Sequence, residues 1–422
     1  MRVLFATISE KSHLYNMVPL AWALRSAGHE VRVASHPALT PTTAAAGLPA
    51  VPVGTDHRFF EVMAQYAGTQ LEEAAKTFDP FTMPYEELTW EFFQGFYGVT
   101  VPVAFGLFND PLVDGLVEFA KEWQPDLVLW DGLTYSGAVA AKVCGAAHAR
   151  LLWGSDIWSP LRDKFLARKA EQPEGDRHDP MIAWLEPIME RHGSTFDEVL
   201  TSGHFSLHQL PASLRTTSDH NVNHGLQFVA YNGSSAVPDW LREPPTRRRI
   251  CLTLGTTLHR MAAGDFVRFS DLLEAVSDLD VEVIATLSEK QRAAVDKIPD
   301  NVRAVEFAPL NVLLPTCSAI VHHGGGGTHT TSLRYGVPQL VLPQVGHAET
   351  YYQAKRLEAT GAGLYEQSHE VTPDGLRKKV ERLLTEPSFA ENAARLRQEM
   401  LDEPSPAAMV PVLEELTAKY RA

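Results

Sequence analysis

Residues 322–328 read His-His-Gly-Gly-Gly-Gly-Thr, set between the apolar runs Ala319–Val321 and Val337–Pro343. A strand, a glycine turn and then a helix from about Thr330 would leave unpaired backbone N–H groups at the helix start, aimed outward at an anion. Glycine lets a phosphate come close to such a turn, and both His323 and Thr328 can hydrogen-bond a phosphate oxygen. The glycines alone fit a ligand-free β-to-α turn equally well. No Gly-Lys-Ser/Thr follows, which excludes a Walker loop, and the motif lies too late for a first-strand dinucleotide fingerprint.

The whole chain bounds what such a site could serve. At 422 residues, two domains are expected on a scale of about 100–200 residues per domain. A formal net charge of −15 argues against nucleic acid or an anionic membrane as partner. Cys144, Cys251 and Cys317 stand far apart, the pattern of a reducing cytoplasm rather than a disulfide framework. The opening run Met1–Thr7 soon meets Glu10 and Lys11, too early for a signal peptide or membrane span, and reads as a first buried strand.

The elements that must position the site alternate. Strand-like Val3–Thr7 precedes a helical stretch from Val18 to Ala27 and a second strand from Glu30, and Leu127–Trp130 precedes helical Gly137–Val143. Arg247–Thr256 restarts the pattern, followed by strand candidates at Val281–Thr286, Val302–Phe307, Ala319–His322 and Gln339–Leu342. Two such series predict an α/β chain of two Rossmann-like domains. We expect an N-terminal domain over 1–230, a Gly/Ser/Pro-rich linker over 231–248, a C-terminal domain over 249–400 and a helical segment over 401–422. Residues 57–108 interrupt the alternation with a dense set of aromatics, among them Phe59, Phe60, Phe93, Phe105 and Phe108. Extra core helices, or a pocket for a bulky apolar molecule, fit that density equally well.

At this point the residues match a family. VHHGGGGTHTTSLRYGVPQLVLP resembles the donor-site signature of GT-B, nucleotide-sugar-dependent glycosyltransferases. The stretches Ser12–Ser35, Trp123–Asp131, Gly145–Asp156, Tyr231–Leu241 and Leu313–Gly325 look like the bacterial enzymes that attach deoxysugars to macrolide and anthracycline antibiotics. The resemblance implies two Rossmann-like domains facing across a cleft, with the C-terminal helix returning to the N-terminal domain. The implied reaction is inverting transfer of a deoxysugar, amino sugars included, from a TDP-sugar to a hydroxyl of a hydrophobic polyketide aglycone. The TDP-sugar is a co-substrate, and no other cofactor or metal is implied.

Roles follow where positions match. His13, in the loop after the first strand, occupies the family's catalytic-base position, and an imidazole there would accept the proton of an otherwise poor nucleophile. Asp131, at the carboxyl end of a strand, is the candidate to orient it; a helix-cap carboxylate is the competing reading. His323, Gly325, Gly327 and Thr328 match diphosphate-contacting positions, Gly326 stands where alanine is usual, and Thr256 matches a further phosphate contact. Glu349-Thr350 replaces the usual Asp-Gln pair that contacts sugar hydroxyls, a change that suits a less hydroxylated sugar. Asp278-Leu-Asp280 reads as a solvated turn, and neither His329 nor His347 acquires a role.

The same resemblance brings in a helper protein like a haem-free cytochrome monooxygenase and is compatible with a homodimer. Two rivals share the fold: a UDP-sugar epimerase, and a nucleotide-sugar-binding accessory without catalysis. His13 and the aromatic residues 57–108 separate the transferase from the epimerase, and His13 with the intact glycine motif separates it from the accessory.

Overall fold

The computed structural model describes residues 1–66, 80, 87–255, 267–343 and 348–421. The expected phosphate contact at Thr256 lies outside the described residues, as do His347 and the aromatics Phe78, Phe81 and Tyr85. The chain divides into two compact units. The first comprises Met1–Leu210, Arg215–Gly233 and Glu403–Ala422, and the second Pro211–Leu214 and Ser234–Asp402.

In the first unit the described strands β1 (Arg2–Ala6), β2 (Glu30–Ser35), β3 (Ala50–Pro52), β4 (Leu127–Asp131), β5 (Ala147–Leu152), β6 (Phe205–His208) and β7 (Asn223–Gly225) form one sheet in the order β3-β2-β1-β4-β5-β6-β7. Every pairing is parallel. Helices cover both faces of such a sheet, which is why β4 and β5 are buried at every residue. The order reverses between β1 and β4, where Phe5 pairs with Leu129 and Ala6 with Trp130. In open parallel sheets that reversal opens a crevice beyond the strands' carboxyl ends.

Helix Lys11–Ser26 follows β1 and buries Leu14, Met17, Val18, Ala21 and Leu24, a stripe at helical spacing. It starts a full turn and more before the expected Val18. Pro19 reads as a breaker in sequence but sits inside the helix, whose apolar face outweighs the one lost hydrogen bond. The C-terminal helix Pro406–Tyr420 belongs to this unit and adds Met409, Val410 and Leu413 to the same core.

The described aromatics of helix Trp90–Thr100 and its continuation pack as core. Phe93 and Tyr97 meet Phe165, and Phe105 meets Tyr135, Trp158 and Trp184. Trp90–Trp123 has the length and hydropathy of a membrane span, but half of its most apolar window is buried inside the unit, the setting of a core helix.

In the second unit β8 (Arg249–Thr253), β9 (Glu282–Thr286), β10 (Val302–Val305), β11 (Ala319–His322), β12 (Gln339–Val341) and β13 (Gly363–Tyr365) form a parallel sheet in the order β10-β9-β8-β11-β12-β13. The reversal lies between β8 and β11, so the residues following Thr253 and His322 emerge side by side.

Candidate active site

In the first unit the two strands at the reversal deliver one carboxylate and its donors. Asp131 ends β4 and is fully buried. Its Oδ2 accepts from Thr7 Oγ1 at 2.7 Å, Thr134 Oγ1 at 2.7 Å and the Ile8 N–H at 3.3 Å, while Oδ1 accepts from the Leu133 N–H at 2.9 Å. Burial alone would raise this carboxyl. The facing His13 and the hydroxyls of Thr7 and Thr134 outweigh it and hold Asp131 below the usual carboxylate range.

His13 lies in the first turn of helix Lys11–Ser26, not in a loop, and its side chain is 13% exposed. Its Nδ1 stands 3.4 Å from Asp131 Oδ1 and is itself buried. The contact is longer than a tight charge-assisted bond of about 2.7–2.9 Å, a common condition before substrate arrives. With Nδ1 turned inward, Nε2 is the nitrogen left for a substrate proton. Trp153, directly after β5, holds the ring from the side: the two ring centroids are 4.8 Å apart at 54°. The indole Nε1 is buried without a hydrogen-bond partner among the described residues.

In the second unit β11 ends at His322, and the glycine turn leads into helix Gly326–Tyr335. Gly324 takes φ +93°, which a side chain would strain. Gly325 is the N-cap residue and contributes no side-chain cap, so the amides of Gly326, Gly327 and Thr328 belong to the helix's unpaired first turn. Part of the demand for glycine comes from within the protein. A Cβ at Gly325 would stand 2.5 Å from His323 Nε2, and one at Gly255 would collide with His323 Cε1. The His323 ring therefore lies between two backbones that tolerate nothing larger. At Gly327 a Cβ would meet nothing within 4 Å among the described residues.

Beneath the turn lies a buried network that sequence reasoning missed. Gln339 Oε1 is 2.9 Å from His322 Nε2 and 2.9 Å from His329 Nδ1, and the Gly324 N–H donates to His322 Nδ1 at 3.1 Å. These bonds fix the tautomers. His322 accepts at Nδ1 and so donates from Nε2, and His329 donates from Nδ1 to the second lone pair of the same amide oxygen. Burial holds His322 well below the ordinary histidine value and His329 down to about 4, so both are neutral at pH 7. The network thus ties β12 to the turn and gives His329 a supporting role.

Glu349 and Thr350 open helix Ala348–Ala359. A Cβ on Gly324 would stand 3.1 Å from Thr350 Cβ, which sets this helix start against the glycine turn. Asp278 and Asp280 are exposed and pair with Arg377 and Arg247. Among the described residues no group of three or more His, Cys, Asp or Glu side chains could hold a metal ion. The structure brings His13 and Asp131 together in the first unit, and His323, Gly325–Thr328 and Thr350 around one turn in the second.

The profile of the erythromycin biosynthesis protein CIII-like N-terminal domain matches residues 22–255, and that of the C-terminal domain matches residues 270–416. The chain belongs to this family. The CIII-like chain is 46% identical over 423 residues to the 10-deoxymethynolide desosaminyltransferase of Streptomyces venezuelae, covering 100% of this chain and 98% of that one. It is 48% identical over 434 residues to the aklavinone 7-beta-L-rhodosaminyltransferase of Streptomyces galilaeus, covering 100% and 97%. Its fold matches the crystal structure of glycosyltransferase VinC in complex with dTDP with a TM-score of 0.87 and 42% identity, over 99% of this chain and 100% of that one. The two parallel-sheet units of the CIII-like chain are those of the GT-B fold.

Proposed function

We propose that this chain is an inverting glycosyltransferase that moves a deoxysugar from TDP to a hydroxyl of a macrolide or anthracycline-like polyketide in antibiotic biosynthesis. The observation that carries this reading is the His13–Asp131 pair at the strand-order reversal of the first sheet. The relatives' names supply the substrate classes, since they transfer desosaminyl and rhodosaminyl groups to 10-deoxymethynolide and aklavinone.

In this reading the acceptor hydroxyl oxygen attacks the anomeric carbon as the bond from that carbon to TDP breaks. The hydroxyl proton passes to His13 Nε2, and TDP leaves with the bonding electron pair. Asp131 keeps Nδ1 turned inward and stabilises the imidazolium that forms, as the acidic member of such pairs does. Negative charge growing on the diphosphate is met by the first-turn amides of Gly326, Gly327 and Thr328 and by His323. Thr256 is a further phosphate contact by resemblance alone, and Thr350 borders the sugar. A cytochrome-like helper, a homodimer and a cytoplasmic setting complete the proposal.

The test incubates the purified chain with TDP-deoxysugars and candidate macrolactones or anthracyclinones, with and without a helper protein, and follows the products by mass spectrometry. A glycoside with inverted anomeric configuration is expected. TDP release by hydrolysis alone, with every acceptor, would overturn the reading.

A further inference from the structure

The two hydroxyls on Asp131 come from places where another bond was open to them. Thr134 is the N-cap residue of helix Tyr135–Cys144, yet its side chain caps no amide of that helix. A threonine there ordinarily stabilises the helix by accepting from a first-turn N–H. Thr134 instead donates to Asp131 Oδ2 at 2.7 Å. Thr7 directly follows β1, and its Oγ1 stands 3.4 Å from the Ile8 carbonyl but 2.7 Å from Asp131 Oδ2. The shorter contact, to a charged acceptor, takes the single hydroxyl hydrogen. Both threonines are fully buried, so neither hydroxyl serves solvent or a ligand.

The outcome is an asymmetric carboxylate. Oδ2 accepts both hydroxyls and the Ile8 N–H, whereas Oδ1 accepts from the Leu133 N–H and faces His13 Nδ1. Donors gathered on Oδ2 draw negative charge toward it and away from the oxygen that meets the imidazole. Turning the carboxylate would break both hydroxyl bonds, so they also fix which oxygen His13 sees.

We infer that Thr7 and Thr134 are positioning residues for the transfer: together they hold Oδ1 of Asp131 toward His13 and temper its pull on the imidazole proton. This assignment deepens, and rests on, the reading of His13 as the base. The rival is that the two hydroxyls only stabilise a buried carboxylate, with no bearing on the imidazole. Two further titratable groups belong to this corner. His36, directly after β2, is lowered by burial against the opposing pull of the Phe108 carbonyl, Asp56 and Asp131. Glu10 is the buried N-cap residue of the His13 helix. Neither is altered in the variants below, so each acts alike in all of them.

The test compares the purified wild type with Thr7→Val, Thr134→Val and Thr134→Ser, using one TDP-deoxysugar and one acceptor that the wild type converts. Glycoside formation is followed from about pH 5 to 9, with thermal unfolding alongside. Each valine variant is expected to lower kcat about tenfold, with donor and acceptor KM within about twofold. Each should also move the acid limb of kcat/KM to higher pH by about half a unit, because a carboxylate with fewer donors holds the imidazolium more strongly. Thr134→Ser restores the hydroxyl and is expected to bring the acid limb back to its wild-type position. Thr134→Ala, which loses no cap bond, stands in where a valine variant fails to fold. An acid limb that stays in place or moves to lower pH in the variants without the hydroxyl, whatever their melting temperature, would overturn the assignment. So would a serine variant that shares the valine defect. Undiminished transfer by His13→Ala would instead remove the reading on which it rests.

Discussion

Oδ1 of Asp131 faces Nδ1 of His13 at 3.4 Å, and neither atom reaches solvent. With hydrogen bonds from Thr7, Ile8, Leu133 and Thr134 around it, this carboxylate is an orienting group with no path to a substrate. Asp131→Asn can keep the Thr7 and Thr134 bonds but loses the charge that favours imidazolium. It is expected to lower kcat by about 10²–10⁴-fold, with donor and acceptor KM little changed. His13→Ala should reduce transfer to a similar extent while TDP affinity by calorimetry stays that of the wild type. A parallel loss of TDP binding in His13→Ala would remove the base assignment.

Trp153 braces the imidazole through its ring, 4.8 Å away, while its N–H has no protein acceptor among the described residues. Trp153→Phe keeps an aromatic face and gives up no internal hydrogen bond. It is expected to retain most of kcat. Trp153→Ala frees the imidazole to rotate and is expected to lower kcat about tenfold or more without raising donor KM. Equal kcat in the two variants would show that the ring does not position the base.

Much of this architecture was legible in the chain, and the gaps have physical causes. β1, β4, β8 and β11 read as strands because burial on both faces demands unbroken apolar runs. β5 contains His148 and Arg150 and does not read as a strand: its polarity is offset only in the folded state, where Asp156 pairs with Arg150 and Ser206 accepts from it. The glycine motif pointed to a turn, but not to the internal reason for two of its glycines, since nothing local says that the His323 ring will lie between Gly255 and Gly325. Gln339 and Trp153 lay inside recognised stretches, yet their partners come from other elements. His13 and Asp131 are far apart in sequence, and only the strand order puts them in contact.

Gly327 offers a test of the anion site with its own control. A Cβ there meets no atom of the described residues, so Gly327→Ala should stabilise the ligand-free helix by about 0.5–1 kcal/mol through backbone entropy. If a diphosphate lies on this face, the same methyl weakens TDP binding. Higher thermal stability combined with lower TDP affinity is therefore expected. Gly325→Ala should behave differently, because its Cβ collides with His323 and both quantities fall. Unchanged TDP affinity in Gly327→Ala would move the diphosphate away from this turn.

The buried histidines beneath the turn predict a pH profile for the second unit. Folded His329 titrates at about 4 and His322 lies well below the ordinary 6.5, so between those limits the unfolded chain binds the extra protons. Each histidine then contributes stability that is fully present above pH 6.5 and lost as pH falls toward 4, at about 1.4 kcal/mol per pH unit. Glu349 has the opposite sign. Its folded value of about 8 stands above the ordinary 4.5, so its contribution is present at low pH and is lost as pH rises toward 8. Below pH 6.5 the two histidines outweigh the single glutamate, and above it only the glutamate acts. Stability of the second unit should therefore rise from pH 4 to a maximum near 6.5 and decline toward 8. Scanning calorimetry across that range should show both limbs in the wild type, and Glu349→Gln should keep the acid limb while losing the alkaline decline. A midpoint that stays flat between pH 4 and 6.5 would mean that His322 and His329 are not held neutral by burial.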